Sequence, residues 1–347
     1  MKKLLLLAFF FLGLQMNYGQ FENLFAASGD ANTYLSHYTK PIVNGFLYST
    51  SSGWFTSAKP LKPFHFQLNV SAAGAIVPDE ENSFTFNPSE YQYTTISSGP
   101  NTLPTVLGGD ASTVLHIDVP LGANEHLETD VDALSGVDLK NEYDLPFNMV
   151  PSPNIQLSMG LPFGTAVSLR FLPKLQNGGA SINQLGIGVQ HSISQYIPLK
   201  TNEDGKSSKR HLNLAIAAAF NHINIDYDND TTDQYYLTSG LNTITLEALA
   251  SLDYRFISFY GGVGFTQGNG NIDLKGQVDV SYDVYDNNGV YVRTDNKTII
   301  DPLQLKYDIS GMKTKMGVQL NLFVLKIFAD YTIQKYPVLN VGLGFKI

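Results

Sequence analysis

The last nine residues of the chain, Leu339 to Ile347, place large apolar side chains at odd positions and small or polar ones at even positions. A period of two is the pattern of a β-strand with one oily face and one polar face. A chain that ends within such a strand must pair it, because an open apolar edge aggregates. Closure into a barrel leaves no edge, and in an outer-membrane barrel the apolar face contacts lipid. A soluble sandwich that buries this face in a core is the alternative.

The same alternation recurs along the chain from residue 64 onward. It is clearest in residues 64–76, 155–160, 167–171, 185–190, 213–221, 244–255, 259–265, 316–322 and 327–333. Short turns near 161–165, 256–259 and 323–326 alternate with long acidic loops near 77–152, 173–183, 222–240 and 267–312. This asymmetry is typical of bacterial barrels. At roughly 10 residues per crossing, residues 61–347 predict an all-β fold, a transmembrane antiparallel β-barrel of about 12 to 14 strands with long acidic loops.

Composition agrees with strands that are oily on one side only. Charged residues make up 15% of the chain, against roughly 25% in soluble domains, while a mean hydropathy of -0.06 argues against a helical membrane protein. The 19 Tyr and 21 Phe residues provide aromatic rings of the kind that form interfacial girdles. A formal net charge of -9 argues against nucleic acid as a partner.

The N-terminus has the pattern of an export signal. Lys2 and Lys3 precede an apolar run from Leu4 to Leu14, and Gly19 is a small residue before an expected cleavage ahead of Gln20. The run is too short to span a bilayer as a helix. Residues 1–19 are therefore predicted to be a signal peptide that exports the chain to the bacterial outer membrane. Because the chain contains no Cys, we expect neither a lipoprotein anchor nor disulfides.

Residues 20–60 do not alternate and precede the first predicted strand. Asp30 can cap a short helix, and apolar residues follow at helical spacing until Pro41. We predict that this segment lies inside the barrel as a helical plug, and that its bulky side chains fill the space there. Those side chains are Tyr34, Tyr38, Phe46 and Trp54. A periplasmic segment without function is the alternative.

Ionisable residues on the polar faces of the strands are predicted to face the lumen, because they are costly in lipid. The candidates for a solute path are Arg170, Glu247, Asp253, Arg255, Gln319 and Asp330. Arg170 and Arg255 are the first candidates for contact with an anionic solute. Ion pairs that seal the lumen are the alternative interpretation of the same residues.

Motifs for catalysis and metal binding are weak. None of the seven His lies in a His-Glu-x-x-His or His-x-His spacing, and no Gly-x-Ser-x-Gly elbow is present. Asp226, Asp228 and Asp230 have the first spacings of a calcium loop, but Thr231 stands where such a loop needs Gly. We therefore expect no enzymatic activity, no cofactor and no dedicated metal site.

Four segments resemble an uncharacterised family of exported proteins, which has only a domain-of-unknown-function label and is grouped with outer-membrane barrels. The segments are 21–24, 53–60, 161–165 and 342–347. This resemblance implies a barrel but no chemistry. More distantly, a helical segment before a barrel is similar to the long-chain fatty-acid transporter family. In that family the segment forms a hatch inside the barrel and hydrophobic compounds pass; no ligand residue is carried over.

Two functional hypotheses follow. The first is an outer-membrane barrel that acts as a channel or transporter for a small or hydrophobic solute. The second is a non-transporting surface or interaction barrel, or a secreted sandwich, that binds a partner through its acidic loops. For the barrel, the expected partners are outer-membrane lipid and, through the C-terminal strand, the barrel-assembly machinery.

Overall fold

The computed structural model describes residues 24–142, 147–177, 179–197, 211–228 and 235–346. Outside the described residues lie the predicted signal peptide, the charged residues 200–210, and Asp230 and Thr231 of the segment that partly resembles a calcium loop. The strands among the described residues are β1 (Phe66–Ile76), β2 (Ser83–Thr85), β3 (Thr94–Ser98), β4 (Thr102–Pro104), β5 (Val114–Pro120), β6 (Glu125–Asp132), β7 (Met149–Leu161), β8 (Thr165–Asn177), β9 (Ala180–Ser192), β10 (Leu212–Tyr227), β11 (Tyr235–Asp253), β12 (Ile257–Asp286), β13 (Tyr291–Ile300), β14 (Leu303–Leu322), β15 (Leu325–Ile333) and β16 (Val338–Lys346). The helices are α1 (Ser28–Thr50) and α2 (Leu139–Glu142).

Ten of these strands close into an antiparallel barrel in the order β1-β7-β8-β9-β10-β11-β12-β14-β15-β16, and β16 pairs with β1. The predicted all-β antiparallel barrel is confirmed, but it has ten strands rather than about 12 to 14. The prediction assumed about 10 residues per crossing. Instead, β11, β12 and β14 have 19, 30 and 20 residues, and much of the stretch from residue 77 to 142 lies outside the barrel wall.

The barrel wall alternates between an apolar outer face and a small or polar inner face. In β16, Leu339, Val341, Leu343 and Phe345 are 42 to 48% exposed, whereas Asn340 is fully buried. Exposed apolar side chains occur on the outer face of all ten barrel strands. A continuous apolar outside is what a lipid-facing surface needs. The sandwich alternative fails, because these side chains point away from the interior rather than into a core.

The two ends of the barrel differ in their connections. At the turn end, tight turns join β7 to β8, β11 to β12 and β14 to β15, and β1 begins where β16 finishes. At the opposite end, the loop end, residues 77–148 join β1 to β7 and β13 is inserted between β12 and β14. The long loop predicted near 173–183 is wrong, because β8 and β9 continue through most of it as paired strands.

A second sheet stands outside the barrel at the loop end. It contains β3, β5, β6, the end of β12 and β13, and β6 joins the barrel extension through the pairing of Leu127 with Val284. Its inner face buries Leu115, Ile117 and Val131 to at most 2% exposure. We call residues 77–142, together with the end of β12 and β13, the cap.

The N-terminal helix α1 is longer than the sequence predicted, with 23 residues, and it continues through Pro41. Packing outweighs the cost of the proline, because Tyr38 and Val43 on either side of it are at most 3% exposed. Gly268 and Gly270 of β12 make room for the helix: a Cβ on Gly270 would lie 3.1 Å from Val43 Cγ1. Neither described helix has the length and hydrophobicity needed to cross a membrane.

Candidate functional site

After α1 the chain crosses the barrel lumen towards the turn end. Residues 51–60, which we call the plug segment, run from the end of the helix to a point just before β1, and most of their side chains are buried. The amide of Phe64 then donates to the carbonyl oxygen of Gly160 at 2.8 Å, beside the β7–β8 turn. The plug segment therefore passes through the interior of the turn-end half of the barrel.

Gly53 allows the plug segment to bend against the wall. Its φ is +69°, a left-handed conformation that residues with a side chain rarely adopt. A Cβ at this position would lie 2.9 Å from Cγ of Asn340 on β16. The bend brings Trp54 against Gly186 and Gly188 of β9, where a Cβ would meet the indole at 2.7 and 3.0 Å.

Arg170 of β8 is fully buried and binds the plug segment. Its guanidinium donates to the carbonyl oxygens of Thr50 and Ser52 at 3.0 to 3.2 Å and to Oε1 of Gln156 at 3.2 Å. The guanidinium carbon also lies 3.9 Å from the ring centroid of Trp54, within cation–π range. In this arrangement the planar donor group of Arg170 is used by the protein itself rather than left free for an anionic solute.

Glu247 of β11 forms a buried triad with Lys313 and Lys315 of β14. Each lysine Nζ lies 2.7 Å from a different oxygen of the carboxylate, and the three side chains are at most 3% exposed. The lysines also donate to plug carbonyl oxygens, Lys313 to Ser51 at 3.0 Å and Lys315 to Phe55 at 2.9 Å. Two buried cations on one anion are thus satisfied by the plug backbone.

A glycine on the strand between them lets these charges meet. Glu247 pairs with Gly264 of β12, and Gly264 pairs in turn with Lys313. A Cβ on Gly264 would lie 3.0 Å from Cγ of Glu247. The absence of a side chain here leaves the space through which the carboxylate reaches two strands away.

Further side chains of the barrel wall form hydrogen bonds with the turn-end part of the plug segment. Gln156 donates to the carbonyl oxygen of Trp54 at 3.0 Å, and Gln190 donates to that of Ser57 at 2.7 Å. Thr56 donates to Oε1 of Gln319 at 3.0 Å. The plug segment is therefore bonded to strands on several sides of the barrel.

The structure places five of the six predicted lumen residues inside the barrel or at its mouth. Arg170, Glu247, Gln319 and Asp330 are buried, and Asp330 accepts hydrogen bonds from Tyr260 at 2.9 Å and Asn340 at 2.8 Å. Asp253 is half-buried at the turn end. It accepts hydrogen bonds from Ser57, Ser251 and Asn213.

Arg255 does not lie in the lumen. The alternation of β11 ends at Asp253, and Arg255 follows in the exposed turn, with its guanidinium 5.2 Å from the ring of Phe256. Lys313 and Lys315 were not among the predicted lumen residues, because the clear alternation in that strand begins at Met316, whereas β14 begins at Leu303. Both lysines share the parity of Gln319, so extending the period of two backwards would have found them.

The predicted plug residues lie in three different places. Tyr34 and Tyr38 lie under the cap, where the Tyr34 hydroxyl accepts from the amide of Leu134 and the Tyr38 hydroxyl donates to the carbonyl oxygen of Ser135, both at 2.8 Å. Phe46 lies in the apolar core. Trp54 lies in the lumen, as described above. The helix thus joins the cap to the plug segment.

The space beside the plug segment at the turn end is small. A cavity of about 50 Å³ lies among the side chains of Phe55, Lys59, Gln67 and Gln190. Sites for drug-sized ligands have roughly 300 to 1,000 Å³. A volume of this size has room for a few water molecules but not for a drug-sized solute.

The cap brings together three residues that sequence analysis did not connect. Ligand-type atoms of Asp118, His126 and Glu128 lie within 4.8 Å of one another. Nearby, Arg293 of β13 donates to Glu125 at 2.9 Å, and this hydrogen bond holds the pKa of the Glu125 carboxyl below its usual range. Fixed short spacings do not find such a cluster, because it depends on the pairing of β5 with β6.

A protein family described as a family of unknown function, DUF6588, matches residues 1–347 of the chain. None of the curated proteins matches this chain. The expected membership of an uncharacterised family is confirmed. The distant similarity to the long-chain fatty-acid transporter family is not supported, and ten strands rather than about 14 count against it.

Several solved bacterial barrels are similar to the chain at low scores. Ail, the attachment invasion locus protein of Yersinia pestis, in complex with a heparin analogue, has 8% identity and a TM-score of 0.22 over 82% of this chain and 100% of its own. The outer membrane protease OmpT of Escherichia coli has 7% identity and a TM-score of 0.27 over 84% and 100%. The translocator domain of the autotransporter NalP of Neisseria meningitidis has 8% identity and a TM-score of 0.25 over 92% of this chain and 99% of its own. Scores this low say nothing about what this chain binds or does.

Proposed function

Since the chain belongs to the DUF6588 family, whose function is unknown, we propose from its own structure that it is a closed outer-membrane β-barrel acting through its cap as a surface interaction protein. The apolar outer face supports a membrane location. The turn end would face the periplasm, because three tight turns and both ends of the strand series lie there, whereas residues 77–148 and β13 lie at the other end. Fractionation with outer membranes and heat-modifiable migration on a gel would test this placement.

The observation that carries the proposal is the bonding of the plug segment to the wall. Arg170, Lys313 and Lys315 donate to the carbonyl oxygens of Ser51, Ser52 and Phe55 in the plug segment and of Thr50 at the end of α1. Hydrogen bonds to charged groups contribute about 1.5–3 kcal/mol each. Opening a path would break several at once and leave buried charges without partners, so the closed state is strongly favoured.

The charge of the cap indicates what kind of partner it would bind. Residues 77–140 contain eleven acidic residues and one lysine. Carboxylates are prominent on the outer face of the β5–β6 hairpin, whose inner face packs on the core. Complementary charge steers association and disfavours partners of like charge. The partner would therefore present a cationic surface.

Conductance measurements test the closed lumen. The full-length protein in a planar lipid bilayer is expected to give no steady conductance. Arg170→Ala removes the contacts with the plug backbone and the Trp54 ring, and should give opening events. Arg255→Ala removes an exposed arginine from a turn and should stay silent. Steady conductance of the unaltered protein would overturn the proposal.

Site-specific crosslinking tests the interaction surface. A photo-crosslinking residue at Ile300 in the cap, where the side chain is 70% exposed, should capture a partner on intact cells. The matched position is Phe323 in a turn at the other end, which is 99% exposed. Equal capture at both positions, or none at the cap, would contradict a role for the cap.

A transporter for a small or hydrophobic solute is the second candidate. The favouring observation is that many plug–wall contacts are hydrogen bonds to backbone carbonyls, which a moving segment could exchange for water. The cavity of about 50 Å³ at the turn end would be the place where such movement begins. Swelling of liposomes by the unaltered protein with one class of solute would favour this candidate over the first, whereas the opened Arg170→Ala variant should swell liposomes with any small solute.

A further inference from the structure

The outer face of the β5–β6 hairpin places one histidine between two carboxylates. Asp118 of β5 pairs with Glu128 of β6, and Pro120 pairs with His126. Because side chains two residues apart share a face of a strand, His126 and Glu128 project on the same side as Asp118. His126 Nδ1 lies 2.9 Å from Asp118 Oδ1 and 3.5 Å from Glu128 Oε1.

The other nitrogen of the ring fixes what Nδ1 can do. His126 Nε2 lies 3.0 Å from the carbonyl oxygen of Asp286 on β12. A carbonyl oxygen only accepts hydrogen bonds, so Nε2 must carry the hydrogen. In the neutral imidazole, Nδ1 then presents a lone pair to two carboxylates that also carry only lone pairs. The contact therefore needs a cation, which is either a proton on Nδ1, giving an imidazolium that donates to Asp118, or a metal ion bound by the three groups.

We propose that Asp118, His126 and Glu128 bind a divalent transition-metal cation such as Zn²⁺. Tetrahedral zinc with ligands at about 2.0–2.1 Å holds neighbouring ligand atoms roughly 3.3 Å apart. The two distances from His126 Nδ1, 2.9 and 3.5 Å, lie on either side of that value. Water would occupy the fourth position.

The ligand set and its surroundings select among cations. A nitrogen ligand favours zinc and its neighbours over Ca²⁺ and Mg²⁺, which take oxygen ligands. The hydrogen bond from Nε2 to the Asp286 carbonyl is the kind of contact that orients a metal-binding histidine. It also joins β6 to the end of β12, so a metal bound here would stabilise the contact between these two strands of the cap. The inference does not depend on whether the lumen is closed.

The same hairpin provides a matched control. His116 faces Asp130, with Nδ1 and Oδ1 2.8 Å apart. It is a histidine–carboxylate pair on the same outer face, but it is not a member of the three-residue cluster. His116→Gln therefore removes a histidine of similar exposure without touching the proposed ligands.

The test is a titration of the untagged, full-length protein in detergent with Zn²⁺ after removal of bound metal by a chelator. We expect one equivalent to bind, with at least about tenfold weaker binding in His126→Gln and Glu128→Gln, the size of effect seen when metal-site contacts are lost. His116→Gln should bind within about twofold of the unaltered protein, and excess Mg²⁺ should not compete. Heat-modifiable migration of each variant shows that the barrel has folded.

Two results would overturn the proposal. The first is no binding to the unaltered protein below about 1 mM Zn²⁺, which corresponds to about 4 kcal/mol; a proton on His126 would then be the cation that the cluster holds. The second is equal weakening in His116→Gln and His126→Gln, which would mean diffuse attraction to an acidic face rather than a site.

Discussion

The two halves of the barrel interior are filled by opposite kinds of side chain. At the turn end, the plug segment meets Arg170, Glu247, Lys313 and Lys315, all of them buried. At the loop end, the same strands turn apolar, and α1 packs against Ile223, Leu241, Ile272, Leu305 and Ile309, all at most 8% exposed. The change occurs within single strands: β14 is apolar inside near its start and cationic inside further along.

This difference separates two ways of holding a segment inside a barrel. The stabilisation from apolar packing is proportional to the buried apolar area, and such packing tolerates small shifts of a helix. Buried charges require particular partners at particular distances, and a lost partner is costly. The loop-end half is therefore suited to anchoring α1 and the cap, whereas the turn-end half fixes one path of the plug backbone.

The largest effect is expected from neutralising the carboxylate that contacts both buried lysines of the charged half. Glu247→Gln keeps the shape of the side chain but removes the negative charge that lies against Lys313 and Lys315. Breaking a buried ion pair in this way costs about 3–5 kcal/mol. The free energy of unfolding in urea, measured in detergent micelles, should fall by that amount.

An exposed ion pair supplies the control for Glu247→Gln. Lys275 Nζ lies 3.5 Å from Asp301 Oδ2 at the loop end, where both side chains are about a third to a half exposed. Asp301→Asn should leave the free energy of unfolding within experimental error, because exposed pairs are screened by water. If both variants behave alike, the charged half is not held by its triad.

A substitution in the apolar half should have the next largest effect. Leu47 in α1 is fully buried, and Leu47→Ala should lower the free energy of unfolding by about 2–5 kcal/mol through lost burial and a residual cavity. Leu246→Ala on the outer face, where the side chain is 53% exposed, is the matched change. A loss at Leu246 equal to that at Leu47 would mean that the helix is loosely packed.

The barrel wall was predictable from sequence because each strand repeats one simple rule. Leu339 to Phe345 show it: apolar side chains face out and small ones face in along the whole strand. The number of strands was not predictable, because nothing local marks where β12 leaves the wall and continues into the cap. Pairing partners distant in sequence decide that.

The site was predictable only in part, for a related reason. Parity placed Arg170 and Glu247 inside, but their partners are set by geometry across strands. Glu247 meets Lys313 because Gly264 lies between them, and Arg170 meets the carbonyl oxygens of a segment about 120 residues earlier. A pattern of alternation shows which side a residue faces and not what it faces. The prediction that Arg255 faces the lumen was wrong, because β11 and its alternation end two residues earlier, at Asp253.

The smallest expected effect tests whether the cap is held by the apolar half or by its own polar contact with α1. The buried carboxylate of Asp30 accepts from the amides of Gln92 and Tyr93 at 2.9 and 2.8 Å and from the Thr94 hydroxyl at 2.8 Å. Asp30→Asn replaces one acceptor with a donor that faces these donors, at a cost of about 1–3 kcal/mol. Hydrogen exchange should accelerate in β3 while the urea midpoint of the barrel changes little.

The exposed Asp110 of the cap offers the comparison for Asp30. Asp110→Asn makes the same chemical change without removing those three contacts, so β3 should exchange as in the unaltered protein. If Asp30→Asn instead lowers the urea midpoint as much as Leu47→Ala, then cap, helix and barrel unfold as one unit. In that case the loop-end half owes its stability to polar docking of the cap as well as to its apolar core, and the contrast with the turn-end half is one of degree.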